Sequence, residues 1–250
     1  FTFVGVKNFI TLAKNVYFKK SIVNTLYYTL NVPLSIALGL FIAYLVNKAM
    51  KGKYFFRSVF FIPYVCSTVS VAVAWKIMYD KEYGIFNTLL SSFGVAQIGW
   101  ISTPQTFMLS TIIMSVWSGT GFCVILYQAA LANVNTAYYE SAEIDGANGF
   151  HKFFYITLPS IAPTTFFLLI QGVIAGFLSF TYPVLMWPDN WMQTAGIDDM
   201  ALTLMYYVHI LGNGRRQMNL ASVVSWVLFV LMGSLTFLLF KLQKRREKNE

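Results

Sequence analysis

Three carboxylates, Glu140, Glu143 and Asp145, crowd the stretch Tyr139 to Pro159, which reads YESAEIDGANGFHKFFYITLP. Acids so close together could serve general acid–base chemistry, where two carboxyls take different protonation states. The stretch reads instead as a docking surface, not a pocket. His151 and His209 lie far apart in sequence and are expected on opposite faces of a membrane. Cys66 and Cys123 fall inside apolar spans, with neither a disulfide framework nor a metal-ligand spacing, and read as packing residues. Gly52-Lys53 is followed by Tyr54 and lacks the leading glycine of a phosphate-cradling loop. No catalytic residue, metal site or resident cofactor is expected, so the chain does not read as an enzyme.

The elements that must hold this stretch are two short helices joined by a sharp turn. Asn135 or Thr136 can cap the first, since a side-chain oxygen there accepts from orphan N–H groups. Gly146 can end it, because glycine takes a left-handed cap without steric cost. Pro159 suits the first turn of a following helix, where its missing N–H is not needed.

Around that stretch the chain is 57% hydrophobic and 11% charged, against about 25% charged in soluble domains. Five apolar spans approach the roughly 20 residues that cross a bilayer core. They run from about Ile22 to Val46, Ser58 to Tyr79, Gln105 to Leu126, Ser160 to Tyr182 and Asn219 to Phe240. The third continues as a helix toward Asn133. Lipid leaves backbone polar groups no partner outside the segment, so each span is expected to be helical. Pro33 and Pro63 are expected to kink the first two. Residues 1–20 are expected to form an amphipathic external lead-in, with Phe9, Leu12, Ala13, Val16 and Tyr17 on one face, either a helix lying in the membrane surface or a solvated segment. Residues 21–242 form the transmembrane domain, with a loop at about 133–159, and 243–250 a basic tail.

Lys48, Lys51, Lys53, Arg57, Lys152, Lys241, Lys244, Arg245, Arg246 and Lys248 would share one face of the membrane. Lys7, Lys14, Lys19, Lys20, Lys81, Arg215 and Arg216 would share the other, a weak positive-inside vote. The net charge of +8 sits beside apolar spans and points to lipid phosphates rather than nucleic acid. Trp75, Tyr79, Trp100, Tyr182, Trp187, Trp191, Tyr206 and Tyr207 fall where an outer aromatic belt would lie.

Glu140, Ala142, Gly146, Ile156, Leu158 and Pro159 stand in the order E-A-A-x3-G-x9-I-x-L-P, with Ser141 in place of the second-position alanine. This resembles the EAA loop of the membrane subunit of bacterial ABC importers. FVGVKNF from Phe3, NTLYYT from Asn24 and IDGANGF from Ile144 resemble the sugar-importer, maltose-type branch of that family. The resemblance implies an all-α polytopic bundle of the type I importer permease kind. Five transmembrane helices would lie in this sequence, with a sixth, N-terminal one missing. It implies a bacterial cell-membrane protein whose loop and C-terminus are cytoplasmic. Its partners would be a second permease, two ATPase subunits that hold ATP and Mg2+, and an extracytoplasmic solute-binding protein. Glu140, Ser141, Ala142 and Asp145 would contact the ATPase, Gly146 would set the turn, and Ile156, Leu158 and Pro159 would anchor the loop to the fourth span.

For a sugar's path, the third span offers Ser115, Ser118, Gly119 and Phe122 at i, i+3, i+4 and i+7, one helical face. The fourth offers Gly172, Gly176 and Phe180. Gly172-x3-Gly176 also fits close helix packing, where small residues let backbones approach. Alternatives are an importer permease for a non-sugar solute or a stand-alone ion-coupled transporter. The latter would favour ionisable residues deep in the spans, and none is found there.

Overall fold

The apolar runs fold as helices throughout. The structure, a computed structural model, describes residues 4–47, 53–187 and 192–246. In chain order the helices are α1 (Lys7–Lys14), α2 (Val16–Thr29), α3 (Asn31–Asn47), α4 (Lys53–Val65), α5 (Thr68–Met78), α6 (Ile85–Ser92) and α7 (Pro104–Ala132). They continue as α8 (Thr136–Ile144), α9 (Gly149–Lys152), α10 (Leu158–Ser160), α11 (Ala162–Phe177), α12 (Thr181–Met186), α13 (Leu204–His209) and α14 (Met218–Arg246). π turns join α9 to α10 at Phe153–Thr157 and follow α13 at Ile210–Gly214.

Among the described residues, three stretches are long and apolar enough to cross a bilayer: Val16–Asn47, Pro104–Ala132 and Met218–Arg245. Two bent pairs raise the number to five, as expected. The first span starts at Val16 rather than Ile22, because Asn15 Oδ1 accepts from Tyr17 N–H at 2.9 Å and caps α2 there. The second is not one rod. Pro63 stands inside α4, and an extended Ser67 opens α5 as a separate helix. Proline gives no N–H to the carbonyl one turn back, and the helix ends at Val65. α7 has 29 residues; at about 1.5 Å each it outruns a core of about 30 Å, as the expected extension toward Asn133 requires. The fourth span ends at Phe177 rather than Tyr182, and Thr181–Met186 forms the separate α12.

The chain divides into two compact units. The first holds 1–31, 67–115 and 172–250. α1 packs on α14 with Leu12 buried, so the amphipathic lead-in adds to a protein core instead of lying free on a surface. Several aromatics expected in a belt are buried in this unit. Trp75, Tyr79, Phe86 and Trp100 make one ring cluster, and Tyr206 and Tyr207 are 0% and 1% exposed. Residue type does not separate a headgroup belt from a core, since both take large amphipathic rings. Trp191 lies outside the described residues.

The long connection after Trp187 is ordered wherever it is described. Thr25 Oγ1 accepts from Leu204 N–H at 2.8 Å. Asn24 donates to the Asp199 and Leu202 carbonyls at 3.0 Å each, and Lys20 donates to the Asp198 carbonyl at 2.8 Å. These bonds hold Asp198 and Asp199 at positive φ (51° and 55°). The second unit, 32–66 and 116–171, is centred on Val32, Ile36, Ala43, Val124, Tyr127 and Ile161. A Cβ on Gly121 would collide with the Phe60 carbonyl, and one on Gly39 with the Cys123 side chain. Backbone contact between helices therefore runs through glycines that sequence reading did not single out.

Candidate coupling loop

The loop belongs wholly to the second unit. Asn135 caps α8: its Oδ1 accepts from Ala137 N–H at 3.0 Å. The far end closes as a Schellman turn. Ala147 N–H donates to the Ala142 carbonyl at 2.8 Å and Gly146 N–H to the Glu143 carbonyl at 3.1 Å. Gly146 has φ +74° and is ringed by open space, so the turn needs glycine for its backbone and not for clearance. Asn148 restarts the chain as the cap of α9, accepting from His151 N–H at 3.0 Å.

Two side-chain links pin the returning arm to α8. Tyr139 and Thr157 share a hydroxyl hydrogen bond at 2.9 Å, and Lys152 Nζ donates to Glu143 Oε1 at 2.6 Å. That hydrogen bond, helped by the ammonium's charge, holds the Glu143 carboxyl below its usual range. A Tyr44–Phe153 edge contact at 5.0 Å ties the same arm to α3. Sequence reading missed both links. Glu143 and Lys152 were visible as opposite charges, but only the turn between them brings them together.

The expected loop residues divide by exposure. Glu140, Ser141, Asp145 and Gly146 are exposed and Ala142 is half-buried. Ile156, Leu158 and Pro159 are half-buried, and Leu158 packs on the core of the unit. Pro159 stands in the first turn of α10, which continues the π turn, and Pro163 takes the first turn of α11 after a 61° bend. Beside the acids, Ile144 is 88% exposed and Phe150 74%. The exposed face thus mixes acids with bare apolar side chains. No cluster of three or more His, Cys, Asp or Glu that could hold a metal occurs among the described residues.

Apart from Gly172, the expected path residues are each in protein contact. In the first unit Tyr28 hydroxyl bonds Ser115 at 2.8 Å, a Cβ on Gly176 would stand 3.0 Å from Thr29 Oγ1, and Phe180 lies edge-on to Tyr206. Gly172, in the same unit, is half-buried. In the second unit Ser118 reaches the Pro63 carbonyl at 3.5 Å, a Cβ on Gly119 would lie 3.5 Å from Ser35 Oγ, and Phe122 stacks on Tyr64.

Residues 35–249 match the family of binding-protein-dependent transport system inner membrane components. The chain belongs to that family. It is 32% identical over 244 residues to the probable ABC transporter permease protein YesP of Bacillus subtilis, covering 95% of this chain and 76% of the relative. It is 29% identical to the arabinooligosaccharides transport system permease protein AraP of the same organism, covering 96% and 76%. Among solved structures, a bacterial ABC transporter involved in the import of the acidic polysaccharide alginate superposes with a TM-score of 0.87 at 26% identity, over 97% of this chain and 84% of that one. This permease therefore has the type I importer fold and is a polytopic inner-membrane protein. In such transporters ATP and Mg2+ are handled by a separate ATPase subunit, and the permease is not itself an enzyme.

Proposed function

We propose that this permease forms part of the translocation path for a carbohydrate and is driven through α8 and its glycine turn by a separate ATPase. The carrying observation is the pinned elbow: a capped helix, a Schellman turn and two cross-links around exposed Glu140, Ser141, Ile144 and Asp145. Such a piece transmits force as a rigid body, so closure of an ATPase against it would rock α7 and α11, which flank it. In this reading the loop and the end of α14 face the cytoplasm. A second permease, two ATPase subunits and an external solute-binding protein complete the machine.

The carbohydrate assignment rests on the oligosaccharide and polysaccharide systems among its relatives. The solute's route is assigned, helix by helix, to the α7 face of Ser115, Ser118, Gly119 and Phe122 and to Gly172, Gly176 and Phe180. The coupling test is a Ser141→Cys variant of the assembled transporter treated with a short bifunctional thiol reagent. A nucleotide-dependent cross-link to the ATPase is the expected result. A cross-link only to an extracytoplasmic protein would overturn the orientation and the coupling role together. Uptake of labelled oligosaccharides by cells with and without the permease tests the cargo class.

A further inference from the structure

Between α4 and α7, within the second unit, lies a groove of about 410 Å3 lined by Arg57, Ser58, Phe61, Ile125, Gln128, Ala129 and Ala132. Its floor carries an anomaly. Gln128 is 3% exposed, and its Nε2 amide has no hydrogen-bond partner among the described residues. A buried amide left without an acceptor is costly, so the site is built for something that supplies one. Arg57 lines the same groove, and among the described residues no acid does. A guanidinium and an amide N–H together suit an oxyanion, with arginine able to hold two of its oxygens at once.

The remaining walls, Phe61, Ile125, Ala129 and Ala132, are apolar. A free anion has no use for them; a chain attached to that anion does. Arg57 also closes the stretch NKAMKGKYFFR, which holds four cations and no acid, a setting that concentrates anionic lipid near a membrane surface. We propose that the α4–α7 groove is a binding site for an anionic phospholipid. The phosphate sits against Arg57 and Gln128, and an acyl chain lies along Phe61 and Ile125. Only the choice of the cytoplasmic leaflet rests on the orientation proposed above.

The test counts lipids, not transport, so its failure is separable from failure of the coupling role. The assembled transporter is purified in mild detergent, titrated with phosphatidylglycerol or phosphatidylcholine, and retained lipids are counted by native mass spectrometry. Wild type is expected to retain phosphatidylglycerol that phosphatidylcholine does not displace. Gln128→Leu, of similar volume but without the donor, should weaken retention about ten-fold. Ser58→Trp, at the exposed rim, should block the groove without touching the core, which keeps the test decisive if the Leu variant fails to fold. Equal retention by wild type and both variants would overturn the proposal. Displacement by millimolar glycerol phosphate as effectively as by the lipid would overturn it in favour of a free phosphate ligand. A Ser58→Cys cross-link to the second permease would overturn it in favour of a protein contact.

Discussion

Gly146→Val is the sharpest perturbation of the coupling loop. The residue sits at φ +74° with nothing within 4 Å of where a Cβ would be, so substitution brings no clash with neighbours. The cost is purely conformational, about 1–2 kcal/mol for a side chain in left-handed backbone. A β-branched residue belongs at the upper end of that range. A shift of this size changes the population of the turn by about 5- to 30-fold and releases the bonds to Ala142 and Glu143. It leaves the apolar spans untouched, so insertion and expression should be normal. The assay is ATP-driven solute uptake into proteoliposomes holding the full transporter, with ATP hydrolysis followed in parallel. Uptake should fall in the order Gly, Asn, Ala, Val, because asparagine tolerates the left-handed region better than alanine does. Hydrolysis should persist, uncoupled. Equal uptake across the four variants would refute the claim that this backbone angle carries the coupling; a loss shared equally by Asn, Ala and Val would refute the conformational explanation of it.

Four other outcomes are expected. Glu140→Lys reverses an exposed charge on the proposed docking face, and the ATPase should co-purify in lower yield at low salt. Glu143→Gln removes the negative charge that faces Lys152 and leaves only a neutral acceptor. Because the Glu143 carboxyl is held below its usual range, its folded form favours the ionised state, so the stabilisation is present above the unfolded pKa and lost as pH falls through the lowered one. Wild-type and Gln variants should thus differ slightly in thermal stability at neutral pH and converge in acid. Gly121→Ala should cost about 1–3 kcal/mol from overpacking against the Phe60 carbonyl, whereas Gly119→Ala two residues away meets only Ser35 Oγ at ordinary distance; thermal melts in detergent compare them. Asn24→Ala strips the donor from the Asp199 and Leu202 carbonyls and should expose the 192–203 segment to limited proteolysis, at a local cost of about 1–3 kcal/mol.

The helix–turn–helix geometry of the loop was readable because its determinants are local. A capping asparagine, a glycine at the left-handed position and a proline near the next helix act within a few residues of themselves. Five apolar spans were readable for the same reason. The full break after Pro63 was not: a proline announces a weak point, but packing on either side decides whether a helix bends or stops. Nor could sequence place Asn87. A polar side chain in a short outer stretch, it is 1% exposed, donates to the Lys81 and Ile98 carbonyls and accepts from Ile98 N–H and Trp100 Nε1. Its partners come together only after the helices on either side have packed. The Tyr139–Thr157 and Tyr28–Ser115 bonds were missed likewise, since each joins two separate helices that only the fold brings together.

The π turn at Phe153–Thr157 places Leu158 N–H on the Phe153 carbonyl, five residues back rather than four. One surplus residue is thereby wound into the arm that carries the loop to Pro159. Every side chain beyond it is swung by about 100° from where ordinary winding would put it. The direction in which Glu140 and Asp145 are aimed is accordingly set by a residue count downstream of them. A one-residue deletion in this turn, with no change to the docking face itself, would point an intact face away from its target.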